Sequence, residues 1–147
     1  MIMSIRATAK LVGNHYGVPW EILAGIAVHE SDGGRALSAP HNYVGVKWMP
    51  TNWKLPGKAV STREFKDGRP VTVRAQFVSF YSLEHCLGYL AEILCFSHHY
   101  RTFRARLEKG KPLPLLLEAI QQGGYATDPA WANKVMARIQ RDVLPPS

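Results

Sequence analysis

Residues 20–48 read WEILAGIAVHESDGGRALSAPHNYVGVKW, and the first half of this stretch decides the fold. Pro19 stands where a proline opens a helix, because the amide it lacks has no intrahelical partner in the first turn. From Trp20 to about Glu30 the residues Ile22, Leu23, Ile26 and Ala27 recur at helical spacing, which predicts a buried helix. Gly33 and Gly34 then stop it. The helix closes on IAVHE, so the carboxyl group of Glu30 is set against an apolar wall at a glycine-rich exit. Burial disfavours a carboxylate and raises its pKa, as a general acid for cleaving a sugar–sugar bond requires. Taken alone, the position favours a plainer reading, a helix-end glutamate bonded to the following loop.

Outward from this segment the chain is mostly helical. Ser4 can cap a first helix running to about His15, with Ile5, Ala9, Leu11 and Val12 on its apolar side. Residues 35–58 are rich in proline and loop signals. KAVSTREF and VTVRAQF flank KDGRP, where Asp67-Gly68 suits a tight hairpin turn. Ser82 caps a third long helix, LEHCLGYLAEILCF, and shorter helices follow over about 100–108 and 115–122. Asp128-Pro129 opens the last helix, which ends before Pro145-Pro146. With no internal repeat, residues 1–147 are expected to form a single domain of the α+β class, mainly helical with one small β-hairpin lobe.

The 147 residues suffice for a hydrophobic core without a metal or disulfide staple. A composition 46% hydrophobic and 20% charged is that of a globular chain and excludes intrinsic disorder. The net charge of +7 favours a polyanionic partner, a class that holds nucleic acid, anionic lipid and bacterial cell wall. No zinc finger, RNP-like aromatic motif or basic zipper helix is present, so nucleic acid is not the expected partner. Cys86 and Cys95 lie nine residues apart on one expected helix, about 13 Å of rise, too far for a disulfide. No metal-ligand spacing occurs among the cysteines and histidines, and neither metal nor cofactor is expected. Arg6 and Lys10 interrupt the N-terminal apolar run, so no signal peptide is expected, and no segment reaches the roughly 18 apolar residues of a membrane span.

Three ordered motifs carry a resemblance. HESDGGRALSAPHNYVGVKW contains Glu30, Ser31, Gly34, Asn42, Gly45 and Lys47; STREFKDG contains Glu64; and GYATDPAWANKV contains Tyr125 and Lys134. Together they resemble the bacterial peptidoglycan N-acetylglucosaminidases of glycoside hydrolase family 73, over roughly residues 20–140. Val44 replaces the family's phenylalanine, Trp131 stands where tyrosine is usual, Phe77-Val78-Ser79-Phe80 departs from the usual Phe-Arg-x-Tyr, and Cys86 stands at a usual serine.

The resemblance implies a lysozyme-like fold and an endo-β-N-acetylglucosaminidase that hydrolyses the GlcNAc–MurNAc bond of peptidoglycan glycan strands. By it, Glu30 is the proton donor. Glu64, on the hairpin, is a base for water or a stabiliser of the oxocarbenium ion, against the plainer reading of an exposed strand residue paired with Arg63 or Lys66. Tyr125 is placed close to the acid, where it orients the substrate's acetamido group, itself a possible internal nucleophile. The hairpin is expected to be a movable lobe. Expected substrate contacts are Asn42 and Tyr43 from the loop beneath the glutamate, Trp48 as a stacking platform and Phe80 at a family aromatic position; a turn-forming role fits Asn42 equally well. Trp20, Trp53 and Trp131 are assigned to packing. A lytic transglycosylase or muramidase on the same fold, or a non-catalytic wall-binding module, are the alternatives. The enzyme is expected to be a monomer unless built into a phage or secretion assembly, made in the cytoplasm and acting on the wall without inserting in a membrane.

Overall fold

The computed structural model describes residues 1–49 and 55–145; Trp53 lies outside the described residues. The expected helix at 20–30 is helix α2, Trp20–Ser31, in which every residue from Ile22 to Val28 is buried. A helix apolar on all sides must be surrounded. Here α1 (Ile2–Tyr16) packs on it, together with α3 (Leu83–Phe96), α6 (Trp131–Arg138) and the single π turn 139–143 that continues α6. Helix α4 (Arg101–Glu108), entered through a 3-10 turn at His98–Tyr100, and α5 (Leu113–Gln122) complete the helical body. One cluster of buried residues runs through all of these helices.

Ser82 caps α3 as expected, its Oγ accepting from the His85 amide at 3.0 Å. Two helix starts differ from the sequence expectation. Helix α1 begins at Ile2 and not at a Ser4 cap, because the Met1 carbonyl already accepts from the Ile5 amide at 2.9 Å. The last helix begins at Trp131, three residues beyond Asp128. The Asp128 side chain accepts from Ala130 N, and its carbonyl accepts from Trp131 N, so Asp128-Pro129 forms a tight turn ahead of the helix.

The hairpin is where the sequence places it. Strands β1 (Gly57–Lys66) and β2 (Arg69–Val78) pair antiparallel with Lys66 opposite Arg69, around a two-residue turn in which Asp67 and Gly68 have φ of 53° and 76°. The base of the hairpin is tied to the segment that follows α2. The Val78 amide donates to the Val46 carbonyl at 3.0 Å and the Trp48 amide to Gln76 at 2.7 Å, so residues 46–48 lie against β2 as a short extra edge. Both cysteines are free, and no helix among the described residues is long and apolar enough to cross a membrane.

Gly25 shows how tightly α2 is enclosed. A Cβ there would overlap the Ile139 side chain and come within 3.3 Å of Val135 Cγ1, so the missing methyl is the space into which the π turn packs. Alanine in place of a mid-helix glycine ordinarily stabilises by about 0.5–1 kcal/mol. Overpacking a core ordinarily costs about 1–3 kcal/mol. The second effect wins here, and Gly25→Ala is expected to lower the thermal unfolding midpoint by several degrees in calorimetry; an unchanged or raised midpoint would show that the α2–π-turn contact is loose.

Candidate active site

Glu30 sits on the last turn of α2, and Ser31 fixes the path by which the chain leaves the helix. The buried Ser31 hydroxyl donates to Ala27 O at 2.6 Å and accepts from the Gly34 amide at 2.8 Å. The chain exits through Asp32, Gly33 and Gly34, all at positive φ, and returns beneath Glu30 at residues 42–47. Gly45 (φ 70°) lies so near the carboxyl group that a Cβ would stand 2.9 Å from Glu30 Oε2.

A cleft of about 960 Å3 runs between the helical body and the hairpin, and Glu30, Glu64 and Tyr125 all line it. Its aromatic walls are Phe65, Phe77, Tyr89, Tyr100, Tyr125 and Trp131. Burial raises the pKa of Glu30; the nearby charges of Glu64 and Asp128 add to the rise, and a hydrogen bond from Trp131 opposes it. That bond, Nε1–H to Glu30 Oε1 at 2.7 Å, comes from a tryptophan only 2% exposed. Trp131 is thus a packing residue, as expected, and also the partner of the candidate acid, a role that the sequence alone did not reveal. Its position in the third motif, where another aromatic is usual, was the available signal.

Four expected substrate contacts are absent from the cleft lining. Asn42 instead builds the return loop. It is 1% exposed, its amide donates to Val46 O at 2.9 Å and Val78 O at 2.8 Å, and its Oδ1 accepts from the amides of Val44, Gly45 and Val46 at 2.9–3.3 Å. Both amide hydrogens are therefore committed to the fold. The expectation that Asn42 binds substrate is corrected, and the turn-forming alternative is what the structure shows. Tyr43 and Phe80 are corrected for a related reason, burial, whereas Trp48 is part-buried and lies outside the cleft lining. Tyr43 is buried in the core. Phe80 is buried, edge-on to His85 and tilted against Tyr89. Trp48 packs beneath the hairpin base against Gly57, with its indole N–H donating to Leu55 O at 2.9 Å.

Glu64 has an environment opposite to that of Glu30. Partial burial works against its ionisation, but hydrogen bonds from Lys47 and Thr127 and the Lys47 charge outweigh it and hold the pKa below the usual carboxylate range. Lys47 forms an ion pair with Glu64 Oε1, and the Thr127 hydroxyl donates to Oε2 at 2.7 Å while accepting from the Phe65 amide at 3.0 Å. Glu64 is therefore paired with residues from two other segments and not with its strand neighbours Arg63 or Lys66. The expectation of a freely moving hairpin meets a latch in this structure. Thr127 ties β1 to the turn before α6, and Lys134, ion-paired to Asp128, lies 5.7 Å above the Phe65 ring. Thr127 was in plain view in the third motif but had no assigned role, since nothing local shows that it faces the hairpin.

Tyr125 is part-buried, packed against the core on one side and lining the cleft on the other. Its hydroxyl donates to Val44 O at 2.5 Å, its ring lies 5.1 Å from that of Trp131, and burial, with the Glu30 charge nearby, holds its pKa well above the ordinary tyrosine value. Its proton is thus held more tightly than an ordinary tyrosine's, and in this structure the hydroxyl acts as a hydrogen-bond donor. His29, beside the acid, also lines the cleft, and burial together with Arg138 and Lys134 lowers its pKa. No group of three or more His, Cys, Asp or Glu side chains among the described residues is arranged to hold a metal ion.

A helical body, a hairpin lobe, and between them a cleft with one carboxyl group biased toward protonation and another biased toward ionisation define a glycoside hydrolase domain of lysozyme-like architecture. The glucosaminidase family, described as mannosyl-glycoprotein endo-beta-N-acetylglucosaminidase, matches residues 6–144, and the chain belongs to it. Peptidoglycan hydrolase FlgJ of Escherichia coli is 32% identical over 148 residues, covering 95% of this chain and 45% of that protein. Exo-glucosaminidase LytG of Bacillus subtilis is 28% identical over 144 residues, covering 95% and 50%. The chain thus spans about half the length of the curated relatives it matches. Among solved structures, a peptidoglycan hydrolase mutant from Sphingomonas sp. A1 aligns with a TM-score of 0.76 at 25% identity, covering 90% of this chain and 86% of that one. The C-terminally truncated glycoside hydrolase domain of Salmonella typhimurium FlgJ aligns with a TM-score of 0.67 at 26% identity, covering 93% and 91%. The α+β, lysozyme-like fold expected from the sequence is the fold observed.

The indole bond gives a signed expectation. It stabilises the carboxylate form of Glu30, so Trp131→Phe should raise the Glu30 pKa further. If Glu30 is the acid, the alkaline limb of the pH–rate profile should then move to higher pH, with the acidic limb in place. The fold should lose about 1–3 kcal/mol, the usual scale for a core substitution. An alkaline limb that stays fixed or moves down would show that the bond does not act on the acid.

Proposed function

We propose that this domain hydrolyses the internal β-glycosidic bond on the reducing side of N-acetylglucosamine in bacterial peptidoglycan, with Glu30 as general acid. The observation that carries this reading is the electrostatic split across one cleft: Glu30 raised by burial, Glu64 lowered by Lys47 and Thr127. Two carboxyl groups whose environments push their pKa values apart are how one site supplies acid and anion at the same pH. Support for glucosaminidase chemistry comes from the family description and the exo-glucosaminidase relative, and support for the wall substrate from the relative described as peptidoglycan hydrolase. The net charge of +7 suits an anionic wall polymer.

Glu30 gives its proton to the glycosidic oxygen as the C1–O bond breaks, and the leaving sugar departs as an alcohol. Positive charge develops on the ring carbon and oxygen of the N-acetylglucosamine. Glu64, already ionised, stabilises that charge and orients a water, whose oxygen bonds to C1 and whose proton passes late in the step to Glu64. Each carboxylate oxygen has lone pairs beyond those used by Lys47 and Thr127, so the latch does not block this role. Proton exchange with solvent restores both groups. Tyr125, through Val44, holds the loop that carries Gly45 under the acid; its hydroxyl is committed to that carbonyl, which favours Glu64 over an acetamido nucleophile oriented by Tyr125. The aromatic walls offer faces on which sugar C–H groups pack.

The experiment is digestion of purified sacculi followed by borohydride reduction and mass spectrometry. The expected product is a reduced N-acetylglucosamine end; only reduced muramic acid or anhydro-muramoyl ends would move the domain to the muramidase or transglycosylase class. Glu30→Gln, nearly isosteric, should cut the rate by about 10²–10⁴-fold, the usual contribution of general acid catalysis. Glu64→Gln should lower kcat with little change in KM, and more severely than Tyr125→Phe. Near-wild-type digestion by Glu30→Gln would contradict the assignment.

A further inference from the structure

A second, smaller pocket of about 210 Å3 adjoins the cleft, lined by His99, Arg101, Thr102, Ala119, Gln122 and Gly123. His99 lines both spaces, and Tyr100 and Gly124, neighbours in sequence of pocket residues, line the cleft, so the two adjoin. It is far too small for another pair of sugar rings. Its chemistry is one-sided: a guanidinium, an imidazole, a hydroxyl and a primary amide, with no carboxylate among the lining residues. Arg101 donates from one terminal guanidinium nitrogen to the His98 carbonyl at 2.9 Å, which anchors the guanidinium itself. A guanidinium carries five N–H donors in a planar fork matched to a carboxylate.

The floor of the pocket is tightly packed, while His99, Arg101, Thr102 and Gln122 are exposed around it. A Cβ on Gly123 would stand 2.5 Å from the His99 carbonyl and 2.8 Å from Tyr100 Cδ1, so the end of α5 is pressed directly on the 3-10 turn. Arg104 pins the same turn from below, donating to the carbonyls of Leu94 and Ser97 at 2.9 and 2.8 Å. A cationic recess on a rigid floor, opening from a sugar-binding cleft, fits an anionic branch leaving the sugar chain sideways. Muramic acid carries such a branch, the lactyl-linked peptide stem with its free carboxylates.

We propose that this recess binds a carboxylate of the peptide stem through Arg101, and so makes the domain selective for stem-bearing over stem-free glycan. This rests on the peptidoglycan reading of the main cleft. The test compares kcat/KM on glycan strands from one preparation of sacculi, either with stems in place or with stems removed by an amidase. Wild-type protein should favour stem-bearing strands by about tenfold, the scale of one charge-assisted contact. Arg101→Ala should bring that ratio to within about twofold of unity, and Arg101→Lys should keep part of it. A wild-type ratio near one, or a ratio that survives in Arg101→Ala, overturns the pocket while leaving the glucosaminidase reading intact. If neither substrate is cleaved, the glucosaminidase reading fails, and binding decides the pocket: amide NMR shifts at Arg101 and Thr102 on adding GlcNAc–MurNAc-peptide, absent with the peptide-free disaccharide, support it, and their absence overturns it.

Discussion

The hydrogen bond from the Trp131 indole to Glu30, 2.7 Å long between residues 101 apart in sequence, joins the most buried helix to the last one at the point where a carboxyl group must be kept from water. A carboxylate moved toward an apolar interior loses hydration that one hydrogen bond only partly replaces. The group answers by holding its proton to higher pH than an exposed glutamate would, the state a proton donor needs. Much of the surrounding architecture serves that enclosure. Gly45 has no side chain to displace the carboxyl group, Ser31 turns the chain away without exposing the helix end, and Tyr125 packs tilted against Trp131 while holding the Val44 carbonyl.

The second carboxyl group depends on a different constraint, the attachment of the hairpin. A two-stranded ribbon is only marginally stable by itself. Here Asn42 ties the return loop to the base of β2 through Val78, and the Val46–Trp48 segment lies along the same strand. Lys47 therefore reaches Glu64 from a platform fixed to the helical body, and Thr127 meets it from the other side. The same contacts that keep Glu64 ionised hold the lobe over the cleft.

The body of the fold was legible because its signals are local. The stripe of Ile22, Leu23, Ile26 and Ala27, the Ser82 cap and the Asp67-Gly68 turn each state their structure within a few residues. The candidate site was legible in part, because three motifs named Glu30, Glu64 and Tyr125, and the cleft brings all three together. What failed was the assignment of polar and aromatic neighbours to substrate. Asn42, Tyr43 and Phe80 lie in or beside the motif segments but are buried in the fold, and no short-range pattern distinguishes an aromatic facing a cleft from one beneath it. Trp131 and Thr127 went the other way. Their roles arise from contacts with Glu30 and Glu64, 101 and 63 residues away, that only the tertiary arrangement creates.

Two carboxyl groups in one cleft are pushed in opposite directions, one by loss of water and one by a lysine and a threonine, and the proposed chemistry stands on that difference. Carbon-13 NMR titration of the side-chain carboxyls, with Glu30→Gln and Glu64→Gln used to assign the two resonances, measures it directly. Glu30 should titrate above the ordinary glutamate value and Glu64 below it. Glu30 titrating at or below the ordinary value, or the two groups titrating together, would contradict the assignment of acid and anion.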